Sequence, residues 1–304
     1  MNILITGGAG YVGYSMIHQI LSDFPESRIR IYDNLSRKNY ALFLNGEIDS
    51  QRVNFIEGEI LDSRKLKRAL KNTDIVIHLA AKVTTPYADF DAHSFEQVNH
   101  WGTAELAMAI EESDVEKIYY LSSLSVYGTH TDPINLNTDL VPRSFYGISK
   151  LKGEEHIRRL KSTKDVYIIR SGNVYGFNPA IRLDAVINRF MFEANYTGRL
   201  SIHGSGEQHR AFIHVEKLAG ILSSMLNGGP TPGVYNLAEY NFSINHIVDK
   251  LKTLYPELEY IFVNQNIRMR DVLIDENEKQ LLDLIKEKKN FLEELKDFKS
   301  SFSF

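Results

Sequence analysis

Short apolar segments alternate with segments of helical spacing over the first 170 residues of this 304-residue chain. The apolar segments have the length of buried strands. The predicted strands are 2–6, 28–32, 53–56, 74–78, 117–121 and 166–169, and the predicted helices are 11–21, 63–70, 95–110 and 149–160. Because strands that alternate with helices are typical of a parallel sheet covered on both faces, we predict an α/β fold with a doubly wound parallel sheet.

The alternation weakens after about residue 170. Two helical patterns, at 184–193 and 215–226, are separated by short segments bounded by glycines. We expect residues 171–275 to form mainly a smaller C-terminal lobe over the C-terminal edge of the sheet. Residues 276–304 are highly charged, and their apolar residues recur at roughly helical spacing, at Leu281, Leu282, Ile285, Phe291 and Leu295. This pattern predicts an amphipathic helical tail that packs on the protein or on a second copy.

The composition excludes several classes of protein. The 35 basic and 39 acidic residues give a net charge of −4, which does not favour nucleic acid or an anionic membrane. The chain has no cysteine, so it has no disulfide or thiolate metal site. No apolar run approaches the ~20 residues of a spanning helix, and Met1 leads directly into a strand. We therefore expect a soluble cytoplasmic protein.

Two other sequence features are interpreted as structural. His78 and His214 lie far apart without a pattern of carboxylate partners, so no metal is expected. Trp101 is the only tryptophan, and it lies on the predicted long helix, so we expect it in the core.

A glycine-rich turn joins the first strand to the first helix, at Gly7, Gly10 and Gly13. Such a turn lets the backbone approach a pyrophosphate at the helix N-terminus, as in the Rossmann fold. Asp33 ends the second strand 20 positions after Gly13, where a carboxylate binds the adenosine ribose and repels a 2′-phosphate. This favours NAD over NADP, although Arg37 and Lys38 follow closely. The segment after the third strand is placed to meet the adenine, through Glu59 and Ile60.

Tyr146 and Lys150 lie four residues apart near the start of a helix, so they share one face of it. A nearby ammonium lowers the pKa of a phenol, and a phenolate can act as a general base toward a substrate hydroxyl. Ser122 and Ser123 end the fifth strand, at the edge of a parallel sheet where ligands bind. An exposed helix pair without function is the alternative interpretation of Tyr146 and Lys150.

Over roughly residues 1–275 the sequence resembles the extended short-chain dehydrogenases/reductases, in the NAD-dependent epimerase/dehydratase group that acts on nucleotide sugars. The matching motifs are Gly7/Gly10/Gly13, Asp33-Asn34, Gly58-Glu59-Ile60, His78-Leu79-Ala80-Ala81, Asn99 with Gly102-Thr103, Ser122-Ser123, Tyr146/Lys150, and Arg170 with Asn173-Val174-Tyr175-Gly176. The resemblance implies a homodimer formed through the helices at 95–110 and 149–160.

The resemblance also implies roles for individual residues. Tyr146 would be the acid/base at the sugar C4 hydroxyl, Lys150 would lower its pKa and hold the nicotinamide ribose, and Ser123 would bind the reacting oxygen. The NAD-binding domain would be residues 1–170, with cofactor contacts at Gly7, Gly10, Tyr11, Val12, Gly13, Asp33, Asn34, Glu59, Ile60, Leu79, Ala80, Ala81 and Asn99. A nucleotide-diphosphate sugar would be bound by Thr84, Ser123, Asn173, Arg210 and Arg268.

The sequence departs from the family pattern at four positions. Leu124 and Ser125 replace the Asp-Glu pair with which the family's dehydratases eliminate water, so a dehydratase of that type is not expected. Ala211 and Lys217 replace two aspartates that are usual in the substrate lobe. We predict a nucleotide-sugar 4-epimerase, similar to UDP-glucose 4-epimerase. The alternatives are a 4-dehydrogenase, a 4-ketoreductase, and a non-catalytic NAD-binding or redox-sensing protein.

Overall fold

The computed structural model describes residues 1–44, 48–83, 91–130, 132–264, 271–278 and 280–303. Its centre is a parallel sheet of seven strands, namely β1 (Asn2–Thr6), β2 (Arg28–Asp33), β3 (Val53–Glu57), β4 (Ile75–His78), β5 (Lys117–Ser123), β6 (Asp165–Ser171) and β10 (Gly233–Leu237). The strand order is β3-β2-β1-β4-β5-β6-β10, and every neighbouring pair is parallel. This is the order of a doubly wound sheet, and it confirms the predicted fold class.

Helices cover both faces of this sheet. The helices of the described residues are α1 (Tyr11–Asp23), α2 (Ala41–Leu44), α3 (Ser63–Ala69), α4 (Ala92–Phe95), α5 (Gly102–Glu111), α6 (Phe145–Arg159), α7 (Val186–Tyr196), α8 (Val215–Leu226), α9 (Ile244–Leu254) and α10 (Phe291–Ser300). The faces of the central sheet are packed by α1 and α8 on one side and by α3, α5 and α6 on the other, whereas α7, α9 and α10 pack in a separate core. Successive residues of a strand point to opposite faces, so Ile3 and Ile5 pack with α1 and α8 whereas Leu4 packs with α3, α5 and α6. Among the described residues, none of the helices is both long and apolar enough to cross a membrane.

Two predicted helices differ from the observed ones. The predicted helix 95–110 consists of α4, a π-helical stretch Glu96–Trp101, and α5. The predicted helix 149–160 begins earlier, at Phe145, because the Ser144 side chain accepts a hydrogen bond from Gly147 N at 3.1 Å and caps the helix. This earlier start places Tyr146 in the first turn of α6.

The second half of the chain contributes to two parts of the molecule. Its small sheets contain β7 (Asn173–Tyr175), β8 (Arg199–His203), β9 (His209–His214), β11 (Tyr240–Ser243) and β12 (Glu259–Val263). These strands pack with α7 and α9 around a separate apolar core. In contrast, β10 and α8 belong to the central layers. The division at residue 170 stays a prediction, and the segment 171–275 supplies both the lobe and one edge of the main sheet.

The sequence predicts a helical tail, but in the structure the charged tail is not one continuous helix. It forms two short 3₁₀ segments, Glu276–Glu278 and Gln280–Leu284, before α10 begins at Phe291. Leu281 packs in the central core, whereas Phe291, Leu295 and Phe298 pack in the core of the lobe. The tail therefore contacts both cores of the protein.

Trp101 corrects another expectation. Its residue surface is 52% exposed, and its ring stacks on His100 with centroids 4.5 Å apart. It lies at the end of the π-helical stretch, where one extra residue per turn shifts the side chain around the helix axis. The expectation that it lies in the core is therefore wrong.

Candidate active site

A cavity of about 1730 Å³ lies at the C-terminal ends of the central strands and is lined by residues of both halves of the chain. Pockets for one small ligand are usually about 300–1000 Å³, so this cavity has room for two. In the described part of the chain, eight basic side chains line it against three aspartates, and the basic ones are Arg37, Lys38, Lys82, Arg143, Lys150, Arg182, Arg189 and Arg210. A basic surface in a protein of net charge −4 favours anionic ligands.

The glycine-rich turn forms one wall of this cavity. Gly7 has φ = 72°, and a Cβ there would lie 2.5 Å from Ala80 N, so only glycine fits against the end of β4. At Gly10 the nearest described atom to an added Cβ is Gly7 O at 3.2 Å, and the residue lines the cavity. α1 then begins at Tyr11, which presents its first N–H groups at this wall. These residues fit a pyrophosphate.

Asp33 lies at the rim next to the turn. Its Oδ2 accepts from Ala9 N at 3.1 Å and its Oδ1 from Leu35 N at 2.8 Å. Burial raises the pKa of this carboxyl, while the backbone donors oppose the shift. An ionised carboxylate offers about four lone-pair positions, so Asp33 keeps acceptor capacity for ribose hydroxyls.

The other predicted cofactor residues are divided between the cavity and its surroundings. Those that line it with Asp33 are Gly7, Gly10, Tyr11, Val12, Gly13, Asn34, Ile60, Leu79, Ala80 and Ala81. Glu59 is exposed beside the rim and accepts from Asn34 Nδ2 at 2.9 Å.

Asn99 lies behind the cavity wall. It is 1% exposed, and its amide accepts from Lys82 N at 2.7 Å and donates to Lys82 O at 2.9 Å and to Ser149 Oγ at 3.0 Å. Its observed contacts thus fix the backbone of Lys82, which itself lines the cavity. These contacts give Asn99 a supporting position, and its direct contact with the cofactor stays a prediction.

Ser123, Tyr146 and Lys150 also line the cavity. Ser123 ends β5, its Oγ accepts from Ser125 Oγ at 3.0 Å, and its hydroxyl lowers the pKa of the Tyr146 phenol. Lys150 is 2% exposed, and its Nζ lies 4.2 Å from the centre of the Tyr120 ring. The sheet edge and the first turns of α6 therefore bring the three predicted catalytic residues to one cavity.

Burial controls the acid–base properties of this group. It lowers the pKa of Lys150 to about 7, against the raising effect of Glu154. It also raises the pKa of Tyr146, while the hydrogen bond with Ser123 and the charge of Arg182 lower it. The sequence predicted that Lys150 would lower this pKa. Among the described groups, Arg182 is the cation whose charge lowers this pKa, and the same effect of Lys150 stays a prediction.

A buried ion pair supports α6 beneath these residues. Glu154 accepts from Arg170 Nε at 3.0 Å, from Arg170 Nη2 at 2.8 Å and from Ser122 Oγ at 2.6 Å. Arg170 Nη1 donates to Tyr127 Oη at 2.7 Å. The sequence analysis did not single out Glu154. Its position four residues after Lys150, on the same helix face, was the available signal.

The predicted substrate residues are placed only in part. Asn173 and Arg210 line the cavity, and each donates to a backbone carbonyl, Asn173 to Ala211 O at 3.2 Å and Arg210 to His209 O at 2.8 Å. Thr84 and Arg268 lie outside the described residues. Sequence reasoning missed Arg143, Arg182 and Arg189 in the cavity wall, because no local motif distinguishes them from surface arginines.

His78 is engaged in the core. Its Nδ1 is hydrogen-bonded with Thr6 Oγ1 at 2.6 Å and its Nε2 with Thr103 Oγ1 at 2.9 Å. In the described ranges, no group of three histidine or acidic side chains is placed to hold a metal ion.

Comparisons with known proteins give relatives along nearly the whole chain. The human dTDP-D-glucose 4,6-dehydratase is 31% identical over 265 residues, which cover 84% of this chain and 74% of the human protein. The low-salt glycan biosynthesis protein Agl12 of Haloferax volcanii is 26% identical over 238 residues, or 78% of this chain and 76% of that protein.

Solved structures are similar over a larger part of the chain. The UDP-glucuronic acid 4-epimerase from Bacillus cereus, solved with UDP-glucuronic acid and NAD, has a TM-score of 0.88 at 23% identity and covers 99% of this chain and 98% of its own. The UDP-N-acetylglucosamine 4-epimerase from Methanobrevibacter ruminantium has a TM-score of 0.84 at 25% identity, over 98% and 97%.

The family model described as NAD dependent epimerase/dehydratase matches residues 3–238. That range includes the glycine-rich turn, the end of β2 and the group around Tyr146, which form the cavity walls described above. The chain belongs to the NAD-dependent epimerase/dehydratase family.

Proposed function

We propose that the protein is an NAD-dependent nucleotide-sugar 4-epimerase. The observation that carries the proposal is the residue pair that follows Ser123. Leu124 is buried and apolar, and the Ser125 hydroxyl is hydrogen-bonded to Ser123 Oγ at 3.0 Å. Neither side chain can supply the carboxyl groups that the family's dehydratases carry there, whereas the residues needed for oxidation at C4 are retained.

The carboxylates elsewhere in the cavity do not replace that pair. Those of the described lining residues belong to Asp33, Asp91 and Asp184. Each is engaged: Asp33 by Ala9 N, Asp91 by its helix-capping bond from Ser94 N at 3.2 Å, and Asp184 by Arg182 Nε at 2.7 Å. This supports a reaction that needs no carboxylate to remove a proton from carbon.

The proposed chemistry assigns a role to each residue around Tyr146. NAD, when bound, would supply the acceptor and donor of a hydride at the sugar C4. Tyr146 accepts the proton of the C4 hydroxyl during oxidation and returns it during reduction. Ser123 donates a hydrogen bond to the same oxygen and keeps it at the phenol. Lys150 would bind the nicotinamide ribose and provide positive charge beside the phenol. Reduction from the opposite face of the sugar inverts C4.

A nucleotide-diphosphate sugar fits the remainder of the cavity. The excess of basic side chains suits two diphosphates, one from each ligand. Asn173 and Arg210, which line the cavity from β7 and β9, are the proposed diphosphate contacts, together with Arg268. UDP-sugars are the first candidates to test, because solved relatives were crystallised with them.

The experiment is a screen of UDP-, GDP-, CDP- and dTDP-sugars with the purified protein, following C4 stereochemistry by NMR and the absorbance of NADH at 340 nm. We expect a C4 epimer with no net change in absorbance. Accumulation of NADH with a keto sugar would instead identify a 4-dehydrogenase, and consumption of NADH with a keto sugar a ketoreductase. A 4-keto-6-deoxy product would show that water is eliminated without the carboxylate pair. NAD binding without conversion of any sugar would favour a non-catalytic protein.

We also propose a homodimer formed through the outer faces of α5 and α6. Trp101, Met108 and Phe145 are large apolar side chains on this surface that are about half exposed. Exposed apolar side chains on a surface helix are a feature of protein interfaces, and they support the proposal. The cytoplasmic location expected from the sequence stays a prediction.

A further inference from the structure

Residues 176–184, here called the bridging segment, connect β7 with the region before α7 and contact both sides of the predicted cofactor site. At its inner end, Tyr11 Oη donates to Gly176 O at 2.6 Å. Asn178 Nδ2 donates to Tyr11 O and to Ser15 Oγ, both at 2.9 Å. These contacts are buried, and they attach the segment to the start of α1.

At its outer end the bridging segment contacts the loop that follows Asp33. Asn39 Nδ2 donates to Ala180 O at 3.0 Å. Arg37 Nη1 lies 3.8 Å from Asp184 Oδ2, while the other oxygen of Asp184 is paired with Arg182 Nε at 2.7 Å. We call these two contacts the outer joint. It is more exposed than the inner end, because the Arg37 side chain is 44% accessible.

The outer joint closes a ring of contacts at one end of the cavity. The ring runs from Ala9 to Asp33 through their 3.1 Å hydrogen bond, along the loop to Asn39, across to Ala180 and back to Tyr11. Its members at the outer joint all line the cavity. The enclosed stretch lies between the glycine-rich turn and Asp33, which is where the pyrophosphate and the adenosine ribose of a dinucleotide would lie.

The loop itself is held in an unfavourable backbone conformation. Leu35 and Lys38 both have positive φ, 53° and 52°, a region that residues with a Cβ rarely adopt. Such conformations persist when surrounding contacts fix them. Loss of the outer joint would therefore free the loop to move away from the bridging segment.

We propose that the outer joint retains NAD in the protein, so that Arg37 and Asp184 are positioning residues of the cofactor site. The inference rests on the proposed function only in requiring that NAD binds. Opening of the joint is then a step in NAD release and not in sugar chemistry. A protein that regenerates NAD in every turnover benefits from slow release of this kind.

The test is the rate at which bound NAD leaves the purified protein, measured as NAD in the filtrate over time at 50 and 500 mM NaCl. We expect Arg37→Gln and Asp184→Asn each to accelerate release about threefold, which is the size of effect of a partly exposed ion pair. NAD release from the double variant should be no faster than from the Asp184→Asn variant, because both substitutions remove the same ion pair. Release from the native protein should accelerate more in high salt than release from the variants, because only the native protein has the Arg37–Asp184 ion pair for salt to screen.

Glu112→Gln is the matched control, since it removes an exposed ion pair with Lys67 on α3, and it should leave release unchanged. Equal release rates in the native protein and both joint variants would overturn the proposal while leaving the proposed function intact. If the native protein binds no NAD at equilibrium, the proposed function and this inference both fail. The two failures are thus distinguished by a binding measurement that involves no sugar.

Discussion

At the scale of single residues, the candidate active site depends on how burial shifts protonation. The phenol of Tyr146 has its pKa raised by burial, and only local groups such as the Ser123 hydroxyl oppose that shift. A raised pKa keeps the phenol protonated at neutral pH, so Tyr146 must release this proton before it can accept the proton of the C4 hydroxyl, and both steps need its phenolic oxygen. The identity of this side chain therefore matters more than its size.

Replacement of Tyr146 by phenylalanine tests this role. Tyr146→Phe removes the proton acceptor and keeps the ring, so we expect turnover to fall by about 10²–10⁴-fold with NAD binding retained. Tyr196→Phe is the control, because Tyr196 is exposed on α7. Steady-state kinetics on the sugar identified by the screen, with NAD binding measured separately, provide the readout. Turnover that survives the change would refute the assignment.

His78 predicts a pH dependence of stability. Burial lowers its pKa from 6.5 to about 3, with a smaller effect of Lys150. Below pH 6.5 the unfolded chain takes up a proton that the folded chain refuses, so stability falls as the pH falls through this window. The maximum slope is about 1.4 kcal/mol per pH unit.

The His78→Gln variant keeps polar atoms near Thr6 and Thr103 but does not titrate. We expect its free energy of unfolding to decline less steeply than that of the native protein between pH 6.5 and 4, measured by urea unfolding at each pH. His93→Gln, at an exposed position on α4, is the control. Parallel curves for the native protein and the His78 variant would contradict the prediction.

At the scale of elements, α6 connects the candidate catalytic residues to the sheet. Its spacing of Tyr146 and Lys150 was readable from the sequence, because helix periodicity is a local property. The ion pair of Glu154 on α6 with Arg170 on β6 could not be predicted from the sequence. The two residues meet only because the parallel sheet brings β6 beside β5 and α6. The helix can therefore be predicted from its own sequence, whereas its position depends on a contact with a strand that follows it in the chain.

Removal of the Glu154 charge should destabilise this arrangement. Glu154→Gln leaves the buried Arg170 guanidinium without its counter-charge, at a cost of about 3 kcal/mol in the free energy of unfolding. The neighbouring residue Glu155 is exposed, so Glu155→Gln is the matched control. Urea unfolding measures both variants. Equal free energies of unfolding for the Glu154→Gln and Glu155→Gln variants would show that the ion pair contributes nothing beyond hydrogen bonding.

At the scale of the whole molecule, the tail and the exposed helices decide how the chain packs. The tail packs in both apolar cores. Within it, Glu294 of α10 forms an ion pair with Lys217 at 2.6 Å, and Lys217 stands where the family usually has an aspartate. This replacement therefore has a tertiary explanation, since a lysine there neutralises a buried acid of the tail.

The proposed dimer is tested by the half-exposed residues of α5 and its neighbouring turn. We expect the native protein to sediment as a dimer, and Trp101→Glu with Met108→Glu to sediment as a monomer, because two charges would be buried in the apolar interface. Ile261→Glu changes an equally exposed residue on β12 and should leave the dimer intact. Sedimentation velocity provides the measurement, and a monomeric native protein would exclude the interface.

The sequence by itself determined the order of strands and helices over the first 170 residues, the glycine-rich turn, the acid at the end of β2 and the Tyr146–Lys150 pair. Each of these is a local pattern, set by strand or helix periodicity or by the conformational demands of a turn. Only the tertiary structure decided that Asn99 supports the wall, that Glu154 holds Arg170 and that the bridging segment meets the loop after Asp33. Those contacts join residues far apart in the chain, and no local spacing encodes which distant side chain arrives beside another.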